Sequence, residues 1–151
     1  MGLRPLTAEL RKEKSIMIDT NVVIYFLEGN EIFGSLSREV FSTIEKGEVK
    51  GYISVVTVAE VLVKPMKQGD NFLVDRITRF LKTFPNLYIV DIDKTVAMEA
   101  AKIRSKTGLK MPDALIIASA KVAGSAIVGT DNDWNNKDMD LTFYNIAKYR
   151  T

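Results

Sequence analysis

Five runs of four residues, largely apolar and without alternation, recur along the chain: Ser15-Ile16-Met17-Ile18, Tyr52-Ile53-Ser54-Val55, Leu87-Tyr88-Ile89-Val90, Ala126-Ile127-Val128-Gly129 and Leu141-Thr142-Phe143-Tyr144. A strand with one face in water alternates apolar and polar residues, whereas an unbroken apolar run suits a strand covered on both faces. Segments of helical character separate the runs. They are predicted over Val22–Glu28, ended by Gly29, and Leu36–Lys46, closed by Gly47. A third covers Val58–Val63, capped by Thr57 and ended before Pro65, and a fourth Asp93–Lys106, stopped at Gly108. Asn71–Thr83 is amphipathic, with Phe72, Leu73, Ile77, Phe80, Leu81 and Phe84 inward. Strands alternating with helices predict an α/β fold, a three-layer α/β/α sandwich around a central, mostly parallel sheet of about five strands. Residues 1–14 read as a loose tail or a short docking helix, with Leu3, Leu6 and Leu10 their only large apolar groups. Residues 15–151 form a single domain.

The last helix is set by Met111-Pro112-Asp113-Ala114. Proline is at ease in the first turn of a helix, where its missing N–H costs nothing, so Asp113 lies in that turn too. From Ala114 to Ala123 only Ser119 and Lys121 are not apolar, and a helix so apolar runs through the core. Taken alone, Asp113 has an ordinary explanation: a carboxylate there complements the helix dipole and the free N–H groups.

In a parallel α/β sheet the carboxyl ends of the strands and the N-termini of the following helices share one edge, where ligands bind. Four acids fall on it. Asp19 follows the first strand, Glu60 lies early in the helix after the second, Asp113 opens its helix and Asp131 follows the fourth strand. Asp19 alone could be a cap, and Asp131 and Asp133 turn residues. Glu60 is harder to explain that way, because Ile53 to Val63 is otherwise apolar except for Ser54 and Thr57. Lys64 is the nearest cation in sequence, and a carboxylate in such a setting is expensive unless paired or coordinating.

The chain has no histidine and no cysteine. Imidazole bases, Ser-His-Asp triads, thiolate metal sites and disulfides are thereby excluded. A net charge of +2 permits a nucleic-acid partner without arguing for one. No apolar run reaches transmembrane length and the N-terminus lacks a signal-peptide core, so a cytoplasmic protein is expected. Carboxylates crowded together repel, and a divalent cation removes the conflict. Oxygen ligands select Mg²⁺ or Mn²⁺, and the chemistry this suits is metal-assisted hydrolysis of a phosphodiester.

Four blocks carry a resemblance: Met17-Ile18-Asp19-Thr20-Asn21-Val22; Ser54 to Leu62 with Thr57 and Glu60; Gly108 to Ile116 with Lys110, Pro112 and Asp113; and Val128-Gly129-Thr130-Asp131-Asn132-Asp133-Trp134. In these, and in their order from Ser15 onward, the chain resembles the PIN-domain nucleases, in particular VapC-type toxins of toxin–antitoxin pairs. The resemblance implies that Asp19 and Asp113 are the main ligands of Mg²⁺ or Mn²⁺ and that Glu60 and Asp131 complete the site. Thr20 and Asn21 would orient Asp19 and line the pocket. It further implies a ribonuclease, a homodimer and a cognate antitoxin. Gly129 stands where the family often has Thr, so a hydroxyl is missing there or comes from Thr130, and either Asp131 or Asp133 is the fourth acid. Among basic residues, Lys64 and Lys110 lie nearest in sequence to the proposed site and are candidates for phosphate contact. Two other readings stay open: an Mg²⁺-dependent phosphotransfer or phosphatase domain using Asp91-Ile92-Asp93, and an inactive PIN-like binding module.

Overall fold

The sheet runs β3-β2-β1-β4-β5 and every neighbouring pair is parallel. Its strands are β1 (Ser15–Ile18), β2 (Lys50–Ser54), β3 (Leu87–Val90), β4 (Ala126–Gly129) and β5 (Phe143–Asn145). The computed structural model describes residues 5–135, 137 and 139–149. Among these, the helices are α1 (Leu6–Leu10), α2 (Thr20–Glu28), α3 (Gly34–Glu45), α4 (Val55–Lys67), α5 (Asn71–Thr83), α6 (Lys94–Thr107) and α7 (Met111–Val122).

Side chains alternate across each strand and feed two cores. Ile16, Ile18, Ala126 and Val128 pack on one face with α1, α2, α3 and α5, while Met17 and Ile127 pack on the other with α6 and α7. The α7 helix behaves as its composition predicts, with Ala114, Ile116, Ile117, Ala118 and Ala120 fully buried. From β1 the chain winds through β2 to β3 on one side, then crosses to β4 and β5 on the other. The order therefore reverses between β1 and β4, and a crevice opens there at the carboxyl edge.

Several elements differ from expectation. The N-cap of α4 is Ser54, whose Oγ accepts from the Val56 N–H at 3.1 Å; Thr57 lies inside the helix, fully buried. Pro65 does not end α4 but sits within its last turns. Phe72 is 74 % exposed, not inward. The stripe of α5 is carried instead by Ile77 and Leu81, with Phe80 and Phe84 closing an aromatic cluster on Phe26 and Phe41. The last strand begins at Phe143 rather than Leu141.

Of residues 1–14, those described form the short α1, which buries Leu6 and Leu10 against the core; Leu3 lies outside the described residues. The segment after it is tied down twice, by Arg11 Nε donating to Glu48 Oε2 at 3.0 Å and by the Tyr144 hydroxyl donating to Glu13 Oε2 at 2.6 Å.

Candidate active site

Asp19 ends β1. Its N–H still donates to the Val128 carbonyl at 2.9 Å, extending the ladder to β4, and its own carbonyl accepts from Val22 N–H at 3.1 Å to start α2. It occupies the N-cap position of α2, yet its side chain makes no capping hydrogen bond. Its carboxylate lies instead against the first two N–H groups of the helix, those of Thr20 and Asn21. At 4 % exposure, the carboxyl is pushed up to about 7 by burial first, then by the negative charge of Asp113 and, after it, of Glu60. The peptide N–H groups of Thr20 and Asn21 pull it down, but by less.

Asp113 reaches the same place from the first turn of α7. Its carboxyl is also held above the ordinary range, by burial and then by the charges of Asp131 and Glu60. Lys110 and the Trp134 indole act in the opposite sense. Trp134 is 1 % exposed, and its Nε1–H has no partner in good hydrogen-bond geometry; the carboxylate that feels it is Asp113.

Glu60 corrects one premise of the sequence reading. Although flanked by apolar residues in sequence, it stands on the exposed side of α4, because Val58, Val61 and Leu62 take the inward face. Its charge is solvated rather than trapped. Its carboxylate is nevertheless held, since Thr20 Oγ1 donates to Glu60 Oε1 at 2.6 Å. That leaves Thr57 Oγ1, 2.9 Å from Thr20 Oγ1, to donate into Thr20. The Thr20 side chain thus orients Glu60, not Asp19; only its backbone N–H serves Asp19. Asn21 is exposed.

Asp131 caps a short 3-10 turn, Asn132–Trp134, with Oδ1 accepting from the Asp133 N–H at 2.8 Å. The turn reading of Asp131 is therefore true as far as it goes, but its charge also reaches Asp113. Asp133 is exposed, and what it gives Asp131 is an N–H, not a carboxylate. Thr130 is half-buried just beyond β4. At Gly129 a Cβ would be tight on the Phe143 ring at 3.3 Å and would touch Asp19 Cβ and Trp134 at 3.4 Å, so this position packs against the first acid.

At the carboxyl edge of the sheet, Asp113 feels the charges of Asp131 and Glu60, and Asp19 those of Asp113 and Glu60. Among the described residues none of the four is in an ion pair with Lys or Arg. Nor, among the described residues, are three or more acids drawn together tightly enough to hold a metal ion by themselves. The donor set still fits a small hard cation. Mg²⁺ takes one or two carboxylates and keeps water in its other positions, and a positive charge would offset the repulsion that raises Asp19. A cleft of about 250 Å³ lies alongside, with Ile24, Leu27, Leu73 and Ile77 as apolar walls and Glu60 and Lys64 among its lining. Lys64 and Lys110 are both exposed.

Asp93, which the phosphotransfer reading requires, is used otherwise: its Oδ1 caps α6 through the Val96 N–H at 2.9 Å, at the end of edge strand β3. Sequence reasoning missed Thr57 as a partner of the site. Its signal was spacing, since a residue three before Glu60 on a helix shares its face.

A family model for the PIN domain matches residues 16–139. Among solved structures, the chain is similar to a toxin–antitoxin complex from Klebsiella pneumoniae, at 24% identity and TM-score 0.63, covering 80% of this chain and 91% of that one. It is similar to VapBC2 from Rickettsia felis bound to a DNA fragment from their promoter, at 15% identity and TM-score 0.70, covering 85% and 96%. It is also similar to FitAcB from Neisseria gonorrhoeae, at 22% identity and TM-score 0.66, covering 86% and 96%. At these identities the likeness is one of fold. No curated protein matches.

Proposed function

The chain belongs to the PIN domain family, and from that premise we propose that it is a Mg²⁺- or Mn²⁺-dependent ribonuclease, the toxin of a toxin–antitoxin pair. The observation that carries the reading is Asp19, a buried carboxylate between the charges of Asp113 and Glu60 without a Lys or Arg in ion pair with it among the described residues. A buried carboxylate perturbed by burial and by neighbouring charges in a crevice marks a candidate functional site, and a bound cation would relieve the repulsion.

Asp19 and Asp113 would hold the ion, with Glu60 and Asp131 completing its surroundings. When bound, the ion supplies positive charge that relieves the repulsion and activates water for attack on phosphorus. Thr20 keeps the Glu60 carboxylate turned into the crevice. Lys110, whose charge already reaches Asp113, and Lys64, beside Glu60 in the cleft, offer ammonium groups to the phosphates of a single-stranded or looped RNA. The apolar cleft is suited to a segment of an antitoxin, by analogy with the toxin–antitoxin complexes of the same fold. We place the protein in the cytoplasm, as a homodimer; among the described residues no helix is long and apolar enough to cross a membrane.

The test is cleavage of a mixed RNA substrate by the full chain with Mg²⁺ or Mn²⁺, beside Asp19→Asn and Asp113→Asn. Cleavage that is lost in both variants and on chelation supports the reading. Cleavage that survives chelation, or that Asp113→Asn leaves unchanged, overturns it. Incorporation of phosphate from a small phosphodonor, without RNA cleavage, would favour the phosphotransfer reading instead.

A further inference from the structure

Asn145 is the last residue of β5 and stands opposite Gly129 in the parallel register, at the edge where the acids gather. It is 3 % exposed. A primary amide buried there is costly unless its polar atoms are paired, and the pairing found is specific. Nδ2 donates to Asn132 Oδ1 at 2.9 Å and to Asn135 Oδ1 at 3.0 Å, while Oδ1 accepts from the Ala147 N–H at 3.0 Å. One amide thus grips both ends of the turn that follows Asp131.

The turn is also held by Trp134, buried in the core against Phe143, and by Asn135 Nδ2 donating to Asn132 Oδ1 at 3.3 Å. Its backbone bonds, Trp134 N–H to Asp131 carbonyl and Asn135 N–H to Asn132 carbonyl, are 3.2 and 3.1 Å long, at the weak end of the range. Asp131 is joined to the turn through its side chain, Oδ1 accepting from Asp133 N–H, so where the turn goes the carboxylate goes. Asn132 and Asn135 follow β4, which lies beside β1, and the β4–β5 pairing brings Asn145 up to them.

We infer that Asn145 is a positioning residue of the acid pocket: its amide clamps the Asn132–Asn135 turn and so holds Asp131 within reach of Asp113. The inference rests on the metal-site reading above and adds to it a residue that touches neither ion nor substrate.

The test is Mn²⁺ affinity of the full chain, read from the free-ion electron paramagnetic resonance signal, for wild type, Asp131→Asn, Asn145→Ala and the double variant. Loss of the clamp should weaken binding about ten-fold, in the range found for groups that orient metal ligands. Asp131→Asn should weaken it by a similar factor, and the double variant should be no weaker than Asp131→Asn alone, because the two act through one carboxylate. A merely structural role predicts losses that multiply. Should Asn145→Ala fail to fold, Asn132→Ala/Asn135→Ala removes the same two bonds from the outer side and should reproduce the ten-fold loss. Wild-type affinity in variants lacking the clamp, where Asp131→Asn does weaken binding, overturns the role of Asn145 alone. No effect of Asp131→Asn overturns it as well, and absence of Mn²⁺ binding by the wild type overturns the metal reading and this inference together.

Discussion

Thr20 Oγ1 donates a 2.6 Å hydrogen bond to Glu60 Oε1, joining the first turn of α2 to the second turn of α4 across the mouth of the crevice. Two acids that follow different strands are thereby fixed relative to one another: Asp19 is next to Thr20 in the chain, and Glu60 is held by its hydroxyl. Thr57, fully buried behind them, completes a chain of hydroxyls ending on the carboxylate.

Thr20→Val keeps the shape of the side chain and removes the donor. It should lower RNA cleavage and Mn²⁺ affinity by about ten-fold, with Thr20→Ser restoring most of both. Thr57→Val should act in the same direction but less, because it leaves the bond to Glu60 in place. Steady-state cleavage rates and Mn²⁺ titration of the three variants check this.

The folded chain binds a proton at Asp19 up to about pH 7, whereas the group's ordinary value is 3.8. Between those values the native state holds more protons than the unfolded one, so stability falls as pH rises. Below 3.8 both states are protonated and there is no penalty. With the metal chelated, the urea midpoint should be lower at pH 8 than at pH 5, and Asp19→Asn should flatten the decline. Protons and Mn²⁺ compete for the same carboxylate, so the rise in melting temperature on adding Mn²⁺ should grow over the same interval.

Trp134 is the sole tryptophan, buried, with its indole N–H felt by Asp113. Its fluorescence is therefore a reporter built into the site. Mn²⁺, which is paramagnetic, should quench it at concentrations where Mg²⁺ does not, and Asp113→Asn should abolish the quench. An equal quench in that variant would place the ion elsewhere.

Leu10 is fully buried against the core from an α1 of only five residues. Leu10→Ala should cost about 3 kcal/mol of unfolding free energy, as for other buried leucines cut back to alanine. A change below about 0.5 kcal/mol, the scale of an exposed position, would mean that α1 does not stay docked. Urea denaturation decides between them.

What local sequence determines here is considerable. Apolar runs too short for helices, lying between amphipathic stretches, require a sheet covered on both faces, and β1, β3 and β4 fall where those runs lie. The positions of Asp19, Asp113 and Asp131 after strands or at the head of a helix follow from the same punctuation, because strand ends and helix starts are governed by near neighbours in the chain. Phe72 and Glu60 mark where this stops. Each sits in a stretch whose composition suggests burial, and each lies outside because burial is decided by which face of the helix meets the sheet, a relation to residues far away. The same holds for the bonds that organise the pocket. Thr20 to Glu60 and Asn145 to Asn132 are ordinary polar residues in sequence, and their partners exist only once β2 lies beside β1 and β5 beside β4. Chain order could supply the acids; parallel pairing of distant strands decided that they share one edge of the sheet, and which hydroxyls and amides lie beside them there.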